Sequence, residues 1–122
     1  MSDDVLRVLV VDDEPKICEL LQALLTKEGY LVETVLDGPA ALIKLGGVKY
    51  DLVLSDLKMP GMDGFELARR VKGIDDEMPL VVITGYATID TAIQALRQGV
   101  DDYVTKPFKV DELRKVVARV LA

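Results

Sequence analysis

Histidine and tryptophan are absent from the sequence, and cysteine occurs once, at Cys18. A lone cysteine cannot form an internal disulfide, and without histidine there is neither a Cys/His metal site nor a Ser-His or Cys-His catalytic pair. Cys18 lies in a helical run, where we expect a small apolar residue without a function. No apolar run approaches the roughly 18 residues of a membrane span. These absences predict a cytoplasmic protein with no membrane partner.

Acidic residues outnumber basic ones by 21 to 15, which gives a formal net charge of −6. A polyanion would therefore be repelled over most of the surface. Half of the 122 residues are apolar, which is enough to form one core without cross-links. The composition predicts a single domain over residues 1–122 that does not bind nucleic acid directly.

Apolar, β-branched runs alternate with helical patterns along the chain. The runs predict five strands, at residues 6–11, 31–35, 52–54, 80–83 and 103–105. Apolar residues at helical spacing form three stripes between or after them: Ile17, Leu20, Leu21, Leu24 and Leu25; Ile89, Ala92, Ile93 and Leu96; and Val110, Leu113, Val116, Val117, Val120 and Leu121. Two shorter helices fit near residues 41–45 and 65–71. Pro15 and Pro39 suit first helical positions, and Gly29 and Gly99 suit left-handed caps.

This (βα)₅ alternation predicts an α/β fold with a parallel, doubly wound sheet. Right-handed crossovers place helices on both faces of such a sheet, and its strands are accordingly apolar throughout. Five short units fit the flavodoxin-like strand order 2-1-3-4-5 best. We therefore expect a ligand at the carboxyl ends of strands one and three, where the winding direction switches.

Polar residues follow four of the five predicted strands. They are Asp12, Asp13 and Glu14 after the first strand, Asp56 after the third, Thr84 after the fourth and Lys106 after the fifth. Because parallel strands share one carboxyl edge, these side chains are expected to converge. For Glu14 alone, the favoured interpretation is an acidic residue at the positive end of the first helix.

Three carboxylates at one edge need a positive partner. Two carboxylates about 4 Å apart repel by roughly 4 kcal/mol at an effective dielectric constant near 20. Mg²⁺, which prefers oxygen ligands, and the ammonium of Lys106 are both suitable partners. With these beside it, Asp56 is placed to attack phosphorus, and Thr84 can donate one further hydrogen bond. The pattern predicts phosphoryl transfer to Asp56.

Three segments carry a family resemblance: VLVVDDE at residues 8–14, DLKMPGMDG at residues 56–64 and KPF at residues 106–108. On these segments, the chain resembles the receiver domain of two-component response regulators over essentially its full length. The resemblance implies that Asp56 accepts a phosphoryl group from a sensor histidine kinase, with Lys106 and Thr84 on the phosphoryl oxygens. It implies a regulatory domain that catalyses only its own phosphorylation and dephosphorylation.

The same resemblance assigns the metal ligands. Asp13, Asp56 and the backbone carbonyl of Lys58 would bind Mg²⁺, and Asp12 would act mainly through water in the ion's shell. Receivers usually have a cis peptide bond after the lysine, so Lys106-Pro107 is expected to be cis.

The resemblance also implies a switch. Thr84 would move toward the phosphoryl group and Tyr103 would fill the vacated space, which changes the surface of the fourth helix, fifth strand and fifth helix. That surface would dock an output domain or form a phosphorylation-dependent homodimer. Lys58 and Tyr86 occupy positions that tune phosphoryl lifetime by shielding Asp56.

The segment ITGYATIDTA at residues 83–92 resembles receivers attached to σ54-dependent AAA+ transcription activators. An ATPase and a DNA-binding output domain would then lie outside this chain, although a single-domain regulator is an alternative. A different class remains open as well, namely a pseudo-receiver that is never phosphorylated and serves as a protein docking module.

Overall fold

The computed structural model describes residues 5–122, so residues 1–4 of the predicted domain lie outside the described part. The strands are β1 Arg7–Val11, β2 Leu31–Val35, β3 Leu52–Ser55, β4 Leu80–Thr84 and β5 Asp102–Thr105. The helices are α1 Pro15–Lys27, α2 Gly38–Gly47, α3 Gly64–Ile74, α4 Ile89–Arg97 and α5 Val110–Leu121. Every predicted element is present, and each strand end differs from its predicted position by at most one residue.

The five strands form one parallel sheet in the order β2-β1-β3-β4-β5, which confirms the predicted doubly wound fold. Ser55 pairs with Val11, and Thr84 pairs with Thr105. These polar residues therefore extend β3 and β4 by one residue beyond their apolar runs. Through this pairing the carboxyl ends of β1, β3, β4 and β5 lie along one edge.

Alternate residues of each strand enter two separate apolar cores. In β1, Leu9 and Val11 pack in the core that includes residues of α2, α3 and α4. Val8 and Val10 pack in the other core, with residues of α1 and α5. This follows from the two-residue period of a strand, which sends successive side chains to opposite faces. Because helices cover both faces of the sheet, polar groups can reach solvent mainly at the ends of the strands.

The predicted caps are present at the helix ends. Gly29 follows α1 with φ of 97°, and Gly99 follows α4 with φ of 78°, a backbone region that glycine adopts without steric cost. Pro15 is the first residue of α1, as predicted. Pro39 is the second residue of α2, because Asp37 caps that helix by accepting from Ala40 N–H and the helix begins at Gly38.

The apolar stripe of α4 differs from those of α1 and α5 because most of it faces solvent. Ile89 is 79% exposed and Leu96 is 77% exposed, whereas Ala95 is the buried residue of this helix. The small side chain of Ala95 brings α4 close to the sheet, and the larger apolar residues lie on its outer side. The helix thus presents an uncovered apolar surface.

Candidate functional site

Asp12 follows β1 and is almost completely buried, at 2% exposure. Its Oδ1 accepts from the backbone N–H of Glu14 at 2.9 Å, and its Oδ2 accepts from Lys106 Nζ at 2.8 Å. Burial raises the pKa of Asp12 above its usual value, although the hydrogen bond from Lys106 works in the opposite direction. The thiol of Cys18 donates to the Asp12 carbonyl oxygen at 3.3 Å. Asp13, next in sequence, is exposed at the same edge.

Asp56 follows β3 and is 4% exposed. Its Oδ1 accepts from Leu57 N–H at 2.7 Å, and its Oδ2 accepts from Lys106 Nζ at 3.2 Å. Gly64, the first residue of α3, lies against the Asp56 backbone: a Cβ built there would be 2.3 Å from the Asp56 carbonyl oxygen. The Gly64 N–H also donates to the Leu57 carbonyl at 2.8 Å. The start of α3 therefore packs directly against the backbone of Asp56 and Leu57.

Lys106 follows β5 and reaches across the edge to both buried carboxylates. Its backbone N–H donates to the Thr84 carbonyl at 2.8 Å, and the Lys106-Pro107 bond is cis, as predicted. Burial alone would lower the pKa of Lys106, but its hydrogen bond to Asp12 and the charges of Asp12 and Asp56 raise that pKa overall. The ammonium group therefore stays charged and offsets part of the carboxylate repulsion.

Four acidic side chains form one cluster at this edge. Oxygen atoms of Asp12, Asp13, Glu14 and Asp56 all lie within 4.8 Å of one another. Such a set of carboxylate oxygens fits a hard divalent cation. Lys58 lines the same open cleft as Asp13, Glu14 and Asp56. The structure thus brings together the three predicted metal-site carboxylates, Asp12, Asp13 and Asp56, and places Lys58 at the same cleft.

Glu14 lies at the positive end of α1, as the sequence predicts, and it also belongs to the acidic cluster. It occupies the N-cap position of α1, but its side chain makes no capping hydrogen bond. Its Oε1 lies 3.5 Å from Lys106 Nζ, within the acidic cluster. A glutamate side chain is longer than the Ser, Thr, Asn and Asp side chains that usually cap helices, and here it extends toward the ammonium group.

The two predicted switch residues are hydrogen-bonded to partners outside the acidic cluster. Thr84 is fully buried, and its Oγ1 accepts from the backbone N–H of Tyr86 at 3.0 Å. The hydroxyl of Tyr103, in β5, lies 2.6 Å from Oγ1 of Thr91 in α4. Thr91 was not singled out from the sequence, since only the packing of α4 on β5 brings these hydroxyls together.

Lys58 and Tyr86 lie on the rim of the cleft and contact one another. Lys58 Nζ is 4.8 Å from the centre of the Tyr86 ring, within the range of a cation–π interaction. Both residues line the cleft that contains Asp56. The sequence indicated each residue separately, but their pairing depends on how the loops after β3 and β4 fold.

Comparison with known proteins identifies the family. The family model described as a response regulator receiver domain matches residues 8–118. The transcriptional regulatory protein TcrA of Mycobacterium tuberculosis is 44% identical over 107 residues, which are 88% of this chain and 42% of TcrA. The transcriptional regulatory protein ZraR of Klebsiella oxytoca is 39% identical over 122 residues, which are 100% of this chain and 28% of ZraR. The chain belongs to the receiver domains of two-component response regulators.

A solved structure supports the same assignment. The response regulator TrrA of Thermotoga maritima, in complex with Mg²⁺-BeF, superposes with a TM-score of 0.88 at 38% identity, covering 96% of this chain and 100% of TrrA. Domains of this family are regulatory, pair with sensor kinases and output domains, and bind Mg²⁺ at an acidic cluster. This chain spans less than half the length of TcrA or ZraR. Across residues 5–122, no helix combines the length and the apolar character needed to cross a membrane.

Proposed function

We propose that residues 1–122 form a receiver domain in which Asp56 accepts a phosphoryl group from a sensor histidine kinase. The observation that carries this proposal is the position of Asp56: its buried Oδ2 lies 3.2 Å from Lys106 Nζ, inside the acidic cluster. A carboxylate oxygen of Asp56 would form a bond to phosphorus while the P–N bond of the kinase's phosphohistidine breaks. The imidazole would leave with that electron pair.

The acidic cluster would hold Mg²⁺ during this reaction. Asp13, Asp56 and the backbone carbonyl of Lys58 are the proposed ligands, with Asp12 in the outer shell. When bound, Mg²⁺ supplies positive charge that offsets the charge of the phosphoryl oxygens. TrrA provides a parallel, because its structure was determined in complex with Mg²⁺-BeF.

The remaining side chains would orient and protect the phosphoryl group. Lys106 keeps its charge beside Asp56, so its ammonium can contact one phosphoryl oxygen. Thr84 would donate a hydrogen bond to another. Lys58 and Tyr86 on the cleft rim would restrict the approach of the water that hydrolyses the aspartyl phosphate. The domain would thus catalyse only its own phosphorylation and dephosphorylation.

The output of the switch would be the surface formed by α4, β5 and α5. Tyr103 belongs to β5, and Thr84 lies at the end of the neighbouring strand β4. On α4, Ile89 and Leu96 expose large apolar side chains. This is the composition expected of a surface that docks an output domain or forms a phosphorylation-dependent homodimer. TcrA and ZraR are transcriptional regulatory proteins longer than this chain, which supports an output domain that acts in transcription. By the resemblance of residues 83–92, that output domain would have AAA+ and DNA-binding parts.

Intact-mass measurement after incubation with acetyl phosphate and Mg²⁺ tests the proposal. We expect a gain of one phosphoryl group that requires Mg²⁺ and is lost when EDTA replaces it. The Asp56→Asn variant is the matched control and should gain no mass. A wild-type protein that never gains mass would contradict the proposal and favour the docking module without phosphorylation.

A further inference from the structure

Thr91 Oγ1 connects the start of α4 to Tyr103 in β5. Thr88 and Thr91 form a capping box: Thr91 N–H donates to Thr88 Oγ1 at 3.0 Å, and Thr88 N–H donates to Thr91 Oγ1 at 2.9 Å. The same Thr91 oxygen lies 2.6 Å from the hydroxyl of Tyr103. One side-chain oxygen therefore takes part in both the helix cap and the contact with β5.

The hydrogen-bonding capacity of Thr91 is fully used in this arrangement. A threonine hydroxyl has one hydrogen to donate and two lone pairs that accept. Its hydrogen can go to the Thr88 carbonyl, 3.0 Å away. The two lone pairs then accept from the N–H of Thr88 and the O–H of Tyr103. The Thr88 hydroxyl also lies 3.1 Å from Thr91 Oγ1 and could use the lone pair that Tyr103 gives up. If Tyr103 moved away, the Tyr103 hydroxyl would therefore be the group that needs a new partner.

The contact with Thr91 opposes the movement that the switch requires. Thr84 Oγ1 accepts from Tyr86 N–H, and a shift of Thr84 toward a phosphoryl group on Asp56 would move it relative to that donor. Tyr103, whose backbone lies opposite Val82 in the β4–β5 ladder, would then turn toward the space that Thr84 vacates. Its hydroxyl would have to leave Thr91 to do so.

We propose that Thr91 is a positioning residue that holds Tyr103 in the arrangement of the unphosphorylated domain. This inference rests on the proposed function, because it concerns how phosphorylation of Asp56 reaches α4. A bond present only before switching stabilises the resting arrangement, and its removal favours the switched one. By linkage, loss of the bond must also tighten the binding of anything that prefers the switched arrangement, including a phosphoryl mimic at Asp56.

Three substitutions separate this role from a purely structural one. Thr91→Val removes the hydroxyl while keeping the shape, and Thr91→Ser keeps the hydroxyl. Tyr103→Phe removes the same bond from the other side and leaves the capping box intact. Agreement between Thr91→Val and Tyr103→Phe would therefore assign the effect to the shared bond rather than to the helix cap.

Isothermal titration of each protein with beryllofluoride at saturating Mg²⁺ gives the affinity for a phosphoryl mimic. Thr91→Val and Tyr103→Phe should each bind roughly three- to tenfold more tightly than the wild type, as expected for loss of one neutral hydrogen bond. Thr91→Ser should match the wild type, and the Thr91→Val/Tyr103→Phe double variant should bind no more tightly than either single variant. Urea unfolding confirms that each variant is folded.

Unchanged or weaker binding by Thr91→Val would overturn the inference, as would an equal shift in Thr91→Ser. Full additivity of Thr91→Val and Tyr103→Phe would also overturn it, because the two residues would then act independently. Failure of the proposed function has a different signature, since the wild type itself would bind no beryllofluoride. The inference would fall with it in that case.

Discussion

Lys106 Nζ lies 3.2 Å from Asp56 Oδ2, although the two residues are 50 positions apart in the chain. The same nitrogen lies 2.8 Å from Asp12 Oδ2. Both carboxylates are buried, and the Lys106 side chain is only 14% exposed. Lys106 therefore supplies positive charge to two buried acidic groups in the folded state. Under the proposed function, the same ammonium group would contact a phosphoryl group on Asp56.

Replacing Lys106 by methionine removes this cation and leaves the two carboxylates facing each other. In EDTA, we expect Lys106→Met to lower the free energy of unfolding by about 3 kcal/mol, the scale for breaking a buried ion pair. Saturating Mg²⁺ should restore part of the loss, because the metal supplies positive charge to the same oxygens. Urea unfolding with and without Mg²⁺ measures both effects. Lys16 is an exposed lysine on α1, so the control variant Lys16→Met should change the free energy of unfolding little. An equal loss of stability in Lys106→Met and Lys16→Met would contradict this role of Lys106.

The contact between Lys58 and Tyr86 predicts that their effects on phosphoryl lifetime are coupled. Lys58→Ser and Tyr86→Ser should each speed the loss of the phosphoryl group, because water gains access to Asp56. If the two residues acted independently, the fold increase in decay rate of the double variant would equal the product of the two single increases. We expect an increase smaller than that product by roughly two- to fivefold, the scale of one exposed cation–π contact. The decay of the phosphorylated mass gives the rates. Lys49→Ser, remote from the cleft, is the control. Single variants that decay no faster than this control would contradict shielding by Lys58 and Tyr86, and a double variant whose decay rate equals the product of the single effects would contradict their pairing.

Gly64 and Gly73 lie in the same helix and predict opposite responses to alanine. A Cβ at Gly64 would lie 2.3 Å from the Asp56 carbonyl oxygen, whereas a Cβ at Gly73 meets no atom within 4 Å. Gly64→Ala should lower the free energy of unfolding by about 1–3 kcal/mol and slow the phosphorylation of Asp56, because the Asp56 backbone must shift. Gly73→Ala should raise the free energy of unfolding by about 0.5–1 kcal/mol and leave phosphorylation unchanged. Urea unfolding measures the stability of both variants, and intact mass measures their phosphorylation. Equal changes in Gly64→Ala and Gly73→Ala would contradict the close approach of Gly64 to the Asp56 carbonyl oxygen.

Tyr50 predicts a loss of stability at high pH. Burial, together with its hydrogen bond to Glu33, raises the pKa of the Tyr50 hydroxyl from 10.0 to about 12. Between these values the folded protein retains a proton that the unfolded chain releases, so the free energy of unfolding falls as the pH rises through this window. The contribution of Tyr50 to this fall is about 2–3 kcal/mol.

Urea unfolding of the wild type and Tyr50→Phe at about pH 9 and about pH 12 isolates this contribution. The pKa of Lys106 is also raised, so its stabilising contribution is lost as the pH rises through its folded value. That loss occurs in both proteins and cancels in the comparison. The wild type should lose more stability than Tyr50→Phe, and parallel losses would show that Tyr50 titrates as it does in the unfolded chain.

Local sequence signals determine most of this fold. Apolar runs predicted β1, β3 and β4 to within one residue, because each buried strand must be apolar on both faces. Gly29 and Gly99 marked helix ends because a positive φ is strongly unfavourable for most other residues. The convergence of Asp12, Asp56 and Lys106 then followed from topology, since parallel strands share one carboxyl edge.

The features that were not predicted depend on contacts between elements. A helical apolar stripe does not reveal which of its residues face the sheet, and in α4 the small Ala95 packs inward while Ile89 and Leu96 are exposed. The contact between Glu14 Oε1 and Lys106 Nζ depends on the reach of Lys106 from β5. Likewise, the bond between Thr91 and Tyr103 exists only because α4 lies across β5.

Locating the phosphoryl group on Asp56 is the most direct test of the central claim. Borohydride reduces an aspartyl phosphate to homoserine, so treatment of the phosphorylated protein, followed by peptide mass spectrometry, identifies the modified residue. The account predicts homoserine at position 56 alone, formed only when Mg²⁺ and the phosphodonor were both present. Homoserine at Asp12 or Asp13, or none at position 56 in a protein that has gained a phosphoryl group, would contradict it.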